Sequence, residues 1–195
     1  MDCFRNKFGF MRFLASVCLL LALTISCSDD DDDDGPRLPA ATRQGLNTFG
    51  CLVNGKVHVP KGGSFFGDKS YECYNMYVFQ SYNPVKGWFF KVSASDLESP
   101  DKPVVTLGTY ALEIMEGGVY PLTTPYIEGR AFGDYFRKAP AGLEWHSVSY
   151  PLTGELRITK LDHQKRIVAG TFWFDAVNSA GEKVEVREGR FDMRF

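Results

Sequence analysis

In the C-terminal stretch GELRITKLDHQKRIVAGTFWFDAVNSAGEKVEVREGRFDMRF (Gly154–Phe195), apolar and polar residues alternate with period two. Leu156 and Ile158 alternate with Arg157 and Thr159. Val168, Phe172, Phe174 and Ala176 share one parity, and Ile167, Thr171, Trp173 and Val177 take the other. Val184 and Val186 alternate with Lys183, Glu185 and Arg187, while Phe191, Met193 and Phe195 alternate with Arg190, Asp192 and Arg194. In a strand this pattern turns the apolar set to one face and the charged set to the other. The intervening DHQKR (Asp162–Arg166) and NSAGE (Asn178–Glu182) have hairpin length, the second with Gly181 for a left-handed position. The stretch therefore predicts an antiparallel meander.

Upstream, the same kind of pattern recurs. FGCLVNGKVHVP (Phe49–Pro60) is two short runs around Asn54-Gly55, the strongest local hairpin signal. YECYNMYVFQ (Tyr71–Gln80) and WFFKVSA (Trp88–Ala94) read as paired strands, with a turn forced by Asn83-Pro84. Val104–Met115 predicts a strand broken near Gly108. Strand character returns around Tyr135 and Phe136, and again from Trp145 to Pro151. No run shows a sustained helical period. A chain of 195 residues suits one domain once its N-terminal segments are set aside. The prediction is an all-β fold: a single antiparallel β-sandwich or barrel-like domain over residues 47–195, with roughly nine or ten strands.

Residues 1–26 read as an address. Arg5, Lys7 and Arg12 precede the apolar run FLASVCLLLALTI (Phe13–Ile25), too short for an ordinary transmembrane helix. The run ends LTISC, which resembles a bacterial lipobox, although Thr24 stands where Leu is usual. Met11 would also serve as a start and leave a workable signal. The resemblance implies a diacylglyceryl group on the Cys27 thiol, cleavage after Ser26 and acylation of the new amine. Several acyl chains give stable anchoring, so the expected state is a protein tethered to a membrane without spanning it.

The six aspartates Asp29–Asp34 follow. An unbroken acidic run repels itself and stays solvated, which makes it a spacer. It also resembles the acidic export signal that follows the lipidated cysteine in surface-displayed lipoproteins of Bacteroides-type bacteria. That implies an outer-membrane lipoprotein exposed at the cell surface. Consecutive aspartates without a glycine-bearing loop do not match an EF-hand. With Pro36 and Pro39, residues 27–46 read as a flexible tether.

The start TFGCLVNGKVHVP, the central LGTYAL and the whole C-terminal stretch resemble a group of small Bacteroidota lipoproteins with no assigned activity. Their shared features are an FGC-x-VNG-K opening, an ITK-x-D turn and a GTF-F-A-N-x-G-x-V-x-V-x-GRFD ending. The resemblance implies an all-β domain on a lipid anchor and carries over no functional residue.

Chemistry is sparsely signalled. Outside the acidic run and the signal the chain is only slightly basic, too little for capture of nucleic acid. His58, His146 and His163 lie in no ligand spacing, so ordinary surface or edge histidines are expected, with no metal site and no cofactor. No nucleophile elbow or phosphate loop occurs. Glu144, Glu155 and Asp175 would have to converge in space to act as a glycoside-hydrolysing pair. Cys51 and Cys73 would meet an oxidising compartment after export. They are either a disulfide, closing a loop of about 23 residues for roughly 3 kcal/mol, or two separately buried thiols. Most of the aromatics suit a β core and cross-strand pairs. Trp145 and Tyr126, beside Pro- and Gly-rich loops, are the best placed for stacking on a ligand. Two readings stay open: a non-catalytic, surface-exposed module that binds a glycan or a partner protein, and an extracytoplasmic hydrolase acting on glycan through its carboxylates.

Overall fold

A computed structural model describes residues 37–63, 69–79, 86–125 and 127–195. The signal, Cys27, the acidic run, the Asn83-Pro84 turn and Tyr126 lie outside the described residues. Among the described residues there is no helix, so none is long and apolar enough to cross a membrane. Eleven strands are present: β1 (Thr48–Val53), β2 (Lys56–His58), β3 (Tyr71–Phe79), β4 (Lys86–Ser95), β5 (Val104–Tyr110), β6 (Val119–Thr123), β7 (Arg130–Ala139), β8 (Gly142–Ser147), β9 (Gly154–Asp162), β10 (Ile167–Val177) and β11 (Lys183–Arg194). The fold class is all-β, as expected.

The local rules explain most of these elements. Asn54 and Gly55 both take positive φ, 50° and 78°, which lets the β1–β2 hairpin turn in two residues. The meander β9–β10–β11 pairs antiparallel throughout. Leu156, Ile158, Val168, Phe172, Phe174 and Ala176 are all buried, whereas Thr171 and Trp173 face outward. In β11 the inward set changes parity, from Val184 and Val186 to Phe191 and Met193. The cause is a bulge. Both neighbours, β1 and β10, pair with one extra residue of β11 around Arg187 and Glu188, where Glu188 has φ 52°.

Three expectations need correction. The β5 strand runs unbroken through Gly108, because a Cβ there would lie 2.6 Å from Phe132 Cζ and 2.7 Å from Phe90 O. Glycine at this position permits a close approach and does not end the strand. The strand expected over Trp145–Pro151 starts earlier, at Gly142. VYPLT (β6) lies outside the strands read from the sequence, and it holds Pro121, a residue that strand interiors disfavour. Pro121 is the last residue paired with β9; Leu122 and Thr123 then pair with β7 in parallel, so the sheet is mixed and not purely antiparallel.

The sheet order is β2-β1-β11-β10-β9-β6-β7-β5-β4-β3. Strand β8 pairs with β7 along its length and bridges β10 at Val177–Ser147, closing a ring through β10, β9, β6, β7 and β8. The two wings beyond that ring fold over each other, with Phe90 of β4 6.0 Å from Phe191 of β11. Phe191 continues to Phe172 and Phe172 to Phe49, forming the spine of the core. Residues 37–46, expected to belong to the tether, lie against this sheet. Thr42 Oγ1 and the Gln44 and Gly45 amides donate to Asp192, and Pro39 covers Gly50.

Candidate functional site

Alternation on β7 and β8 builds the site. Tyr135 pairs with His146 and Arg137 with Glu144, so all four side chains share one face at one end of the sheet. The β10–β11 turn adds Asn178 and Glu182. Asn178 Oδ1 accepts from the Ala180 and Glu182 amides, an Asx turn that fixes the loop. Its Nδ2 donates to Glu144 Oε1 at 3.3 Å and to Glu182 Oε2 at 2.8 Å, linking the two carboxylates.

The electrostatics follow from these contacts. Burial pushes the Glu144 carboxyl up, but hydrogen bonds and charge from Arg137, with His146 and Asn178, outweigh it and hold Glu144 below its ordinary value. Arg137 reaches Glu144 Oε2 through both Nε and Nη2, each at 3.2 Å. His146 Nε2 stands 3.2 Å from the other oxygen, Oε1. The imidazole is 2% exposed, and burial lowers its pKa against the pull of Glu144, so it is neutral at physiological pH. Its Nδ1 has no partner. Burial likewise raises the Tyr135 phenol.

A cavity of about 270 Å³ opens onto Tyr135, Arg137, Glu144, His146 and Glu182. It shares Asn54, Tyr135 and Arg137 with a neighbouring hollow of about 390 Å³ that reaches His58, Asp96 and Asp101. On the other side a hollow of about 410 Å³ runs from Glu144 and Asn178 to Trp145. Charged and apolar side chains both line these hollows, and Trp145 borders only the last. A larger hollow of about 610 Å³ lies by β3, where Lys91 and Glu72 pair at 2.8 Å.

Of the residues nominated from sequence, Trp145 is 48% exposed and lies stacked on Phe136 at 4.4 Å. Glu144 borders the same hollow as Trp145. Glu155 instead pairs with Arg157, and Asp175 with Arg187 and Lys183, so the three carboxylates do not form one pair. Cys51 and Cys73 are both free thiols. Cys51 is fully buried and raised by that burial; burial, helped by Glu72, pushes Cys73 up to about 12. His58 Nε2 lies 3.1 Å from the Ala94 carbonyl, and His163 packs edge-on against Trp88 and Phe195. The histidines at 58 and 163 are thus structural in their contacts, but His146 is not an ordinary edge residue. It meets two glutamates. Half of this was legible, since Glu144-x-His146 on a strand must share a face. Glu182 was not, because it arrives from a turn 36 residues further on.

No protein family, curated protein or solved structure matches the chain.

Proposed function

We propose that this is a membrane-tethered, surface-displayed lipoprotein whose β domain is a non-catalytic module that binds glycan at Trp145 and the hollow beside it. The observation that carries the reading is a half-exposed indole, braced on Phe136, at the border of a hollow of about 410 Å³ that Glu144 and Asn178 also line. An aromatic face packs on the C–H face of a sugar, while a carboxylate accepts from its hydroxyls. Hydrolysis needs an acid that keeps its proton near neutral pH. Glu144 is instead held ionised by Arg137, which favours binding over turnover. The lipid anchor and the surface address rest on LTISC and on Asp29–Asp34. The test is a glycan array probed with the full chain, followed by titration of any retained glycan into Trp145→Ala. Retention by the wild type, with affinity lowered at least about tenfold and an unchanged melting temperature in the variant, supports the reading. Equal affinity for both proteins, or retention of no glycan, overturns it. Cleavage of the bound glycan would make the domain a hydrolase.

A further inference from the structure

We propose that Glu144, His146 and Glu182 form a site for one divalent transition-metal ion, best matched to Zn²⁺. The proposal is independent of the glycan reading. The three side chains each offer a donor atom, and these atoms lie within 4.8 Å of one another. His146 Nε2 and Glu144 Oε1 are 3.2 Å apart. Zinc binds nitrogen and carboxylate oxygen at about 2.0–2.2 Å, which places neighbouring tetrahedral ligands roughly 3.3 Å from each other. These two atoms therefore already stand at ligand separation. Glu182 is on an exposed turn and closes the remaining gap by rotating its side chain.

The surroundings prepare the donors for a cation. The His146 ring makes one polar contact, to Glu144, and its Nδ1 is an orphan at 2% exposure. The Nε2 edge of this buried ring, and not the orphaned Nδ1, is the one turned toward the carboxylates. On Nε2 an ion would displace the proton now donated to Glu144, and the neutral ring would carry its one proton on Nδ1 instead. Arg137 grips the Glu144 oxygen that the ion would not use, and Asn178 steers both carboxylates, the kind of outer support that orients ligands. The cavity of about 270 Å³ leaves a fourth position open to water or to a ligand. Calcium and magnesium prefer more oxygens and no imidazole, which selects against them.

The test is calorimetric titration of Zn²⁺, and separately Ca²⁺, into the chelator-stripped full chain. One equivalent of Zn²⁺ should bind, with Ca²⁺ much weaker. Glu182→Gln and His146→Ala should each weaken Zn²⁺ at least about tenfold. His163→Ala and replacement of Asp29–Asp34 by asparagine should leave the affinity unchanged. Glu182→Gln alters one exposed side chain, so it decides the matter if His146→Ala does not fold. Absence of saturable Zn²⁺ binding, unchanged affinity in Glu182→Gln, or loss of the equivalent with the aspartate run would each overturn the proposal.

Discussion

Asp134 and Asp192 are both buried carboxylates, 2% and 0% exposed, yet their surroundings push them in opposite directions. Burial raises Asp192, but Thr42 and the Gln44, Gly45 and Leu46 amides outweigh that and hold it below the usual carboxylate range. Burial raises Asp134 to about 6; Ser147 opposes this only in part, and Oδ1 has no partner. The linkage signs follow. Asp192 adds stability above its unfolded value near pH 4, and that stability is lost as pH falls through the lower folded value. Asp134 binds its proton more tightly when folded, so its contribution is fully present below about pH 4 and is lost as pH rises through about 6. Asp134→Asn should therefore raise stability at pH 7.5, on the order of 2 kcal/mol, with the gain gone near pH 4. Asp192→Asn should lower stability by about 1–3 kcal/mol at pH 7.5, because donors lose a charged acceptor, and by less at pH 3. Denaturant melts at the three pH values check both, and equal shifts at every pH would contradict the burial-driven assignment. Neither role was legible beforehand. Alternation with Phe191 and Met193 put Asp192 on the solvent face, which is correct for the strand; the chain folds back through residues 42–45 and covers it.

At the scale of elements, the meander was the legible part because its three strands are neighbours in both sequence and sheet. Period-two patterning and hairpin turns are local signals, and they suffice where pairing is local. The rest depends on distant partners. Strand β6 lies between β9 and β7, and β8 closes the ring onto β10. The bulge at Glu188 also has a local trace, since the apolar parity changes between Val186 and Phe191 and a single strand can do that only by gaining a residue. Beyond the bulge, Phe191 is 3% exposed between Phe90 and Phe172. Removing a buried phenyl ring costs about 3–5 kcal/mol, a large part of the roughly 5–15 kcal/mol that holds a domain together. Phe191→Ala, or truncation after Gly189, should unfold the domain or lower its melting temperature sharply. Among the described residues the polar contacts of the Arg190 guanidinium are with Glu188, so Arg190→Ala should stay within about 0.5 kcal/mol. Thermal melts of the three proteins check this; small shifts in all of them would mean that the segment after the bulge is not part of the core.

On the scale of the whole molecule, the boundary between tether and domain lies earlier than the composition suggests. Pro36–Phe195 is one compact unit, and residues 39–45 already pack on Gly50 and Asp192. With Cys27 as the anchoring residue, only the short run from Ser28 to Pro36 separates lipid from fold. In the proposed reading Cys27 carries the lipid and Asp29–Asp34 the surface address, both ahead of the described domain. Cys27→Ala should accordingly abolish metabolic palmitate labelling and remove the protein from the detergent phase, while leaving the melting temperature unchanged. Replacing Asp29–Asp34 with asparagine should preserve labelling and abolish antibody access on whole cells. A Cys27→Ala protein that still labels would place the lipid elsewhere. Unchanged antibody access in the asparagine variant would reduce the acidic run to a spacer.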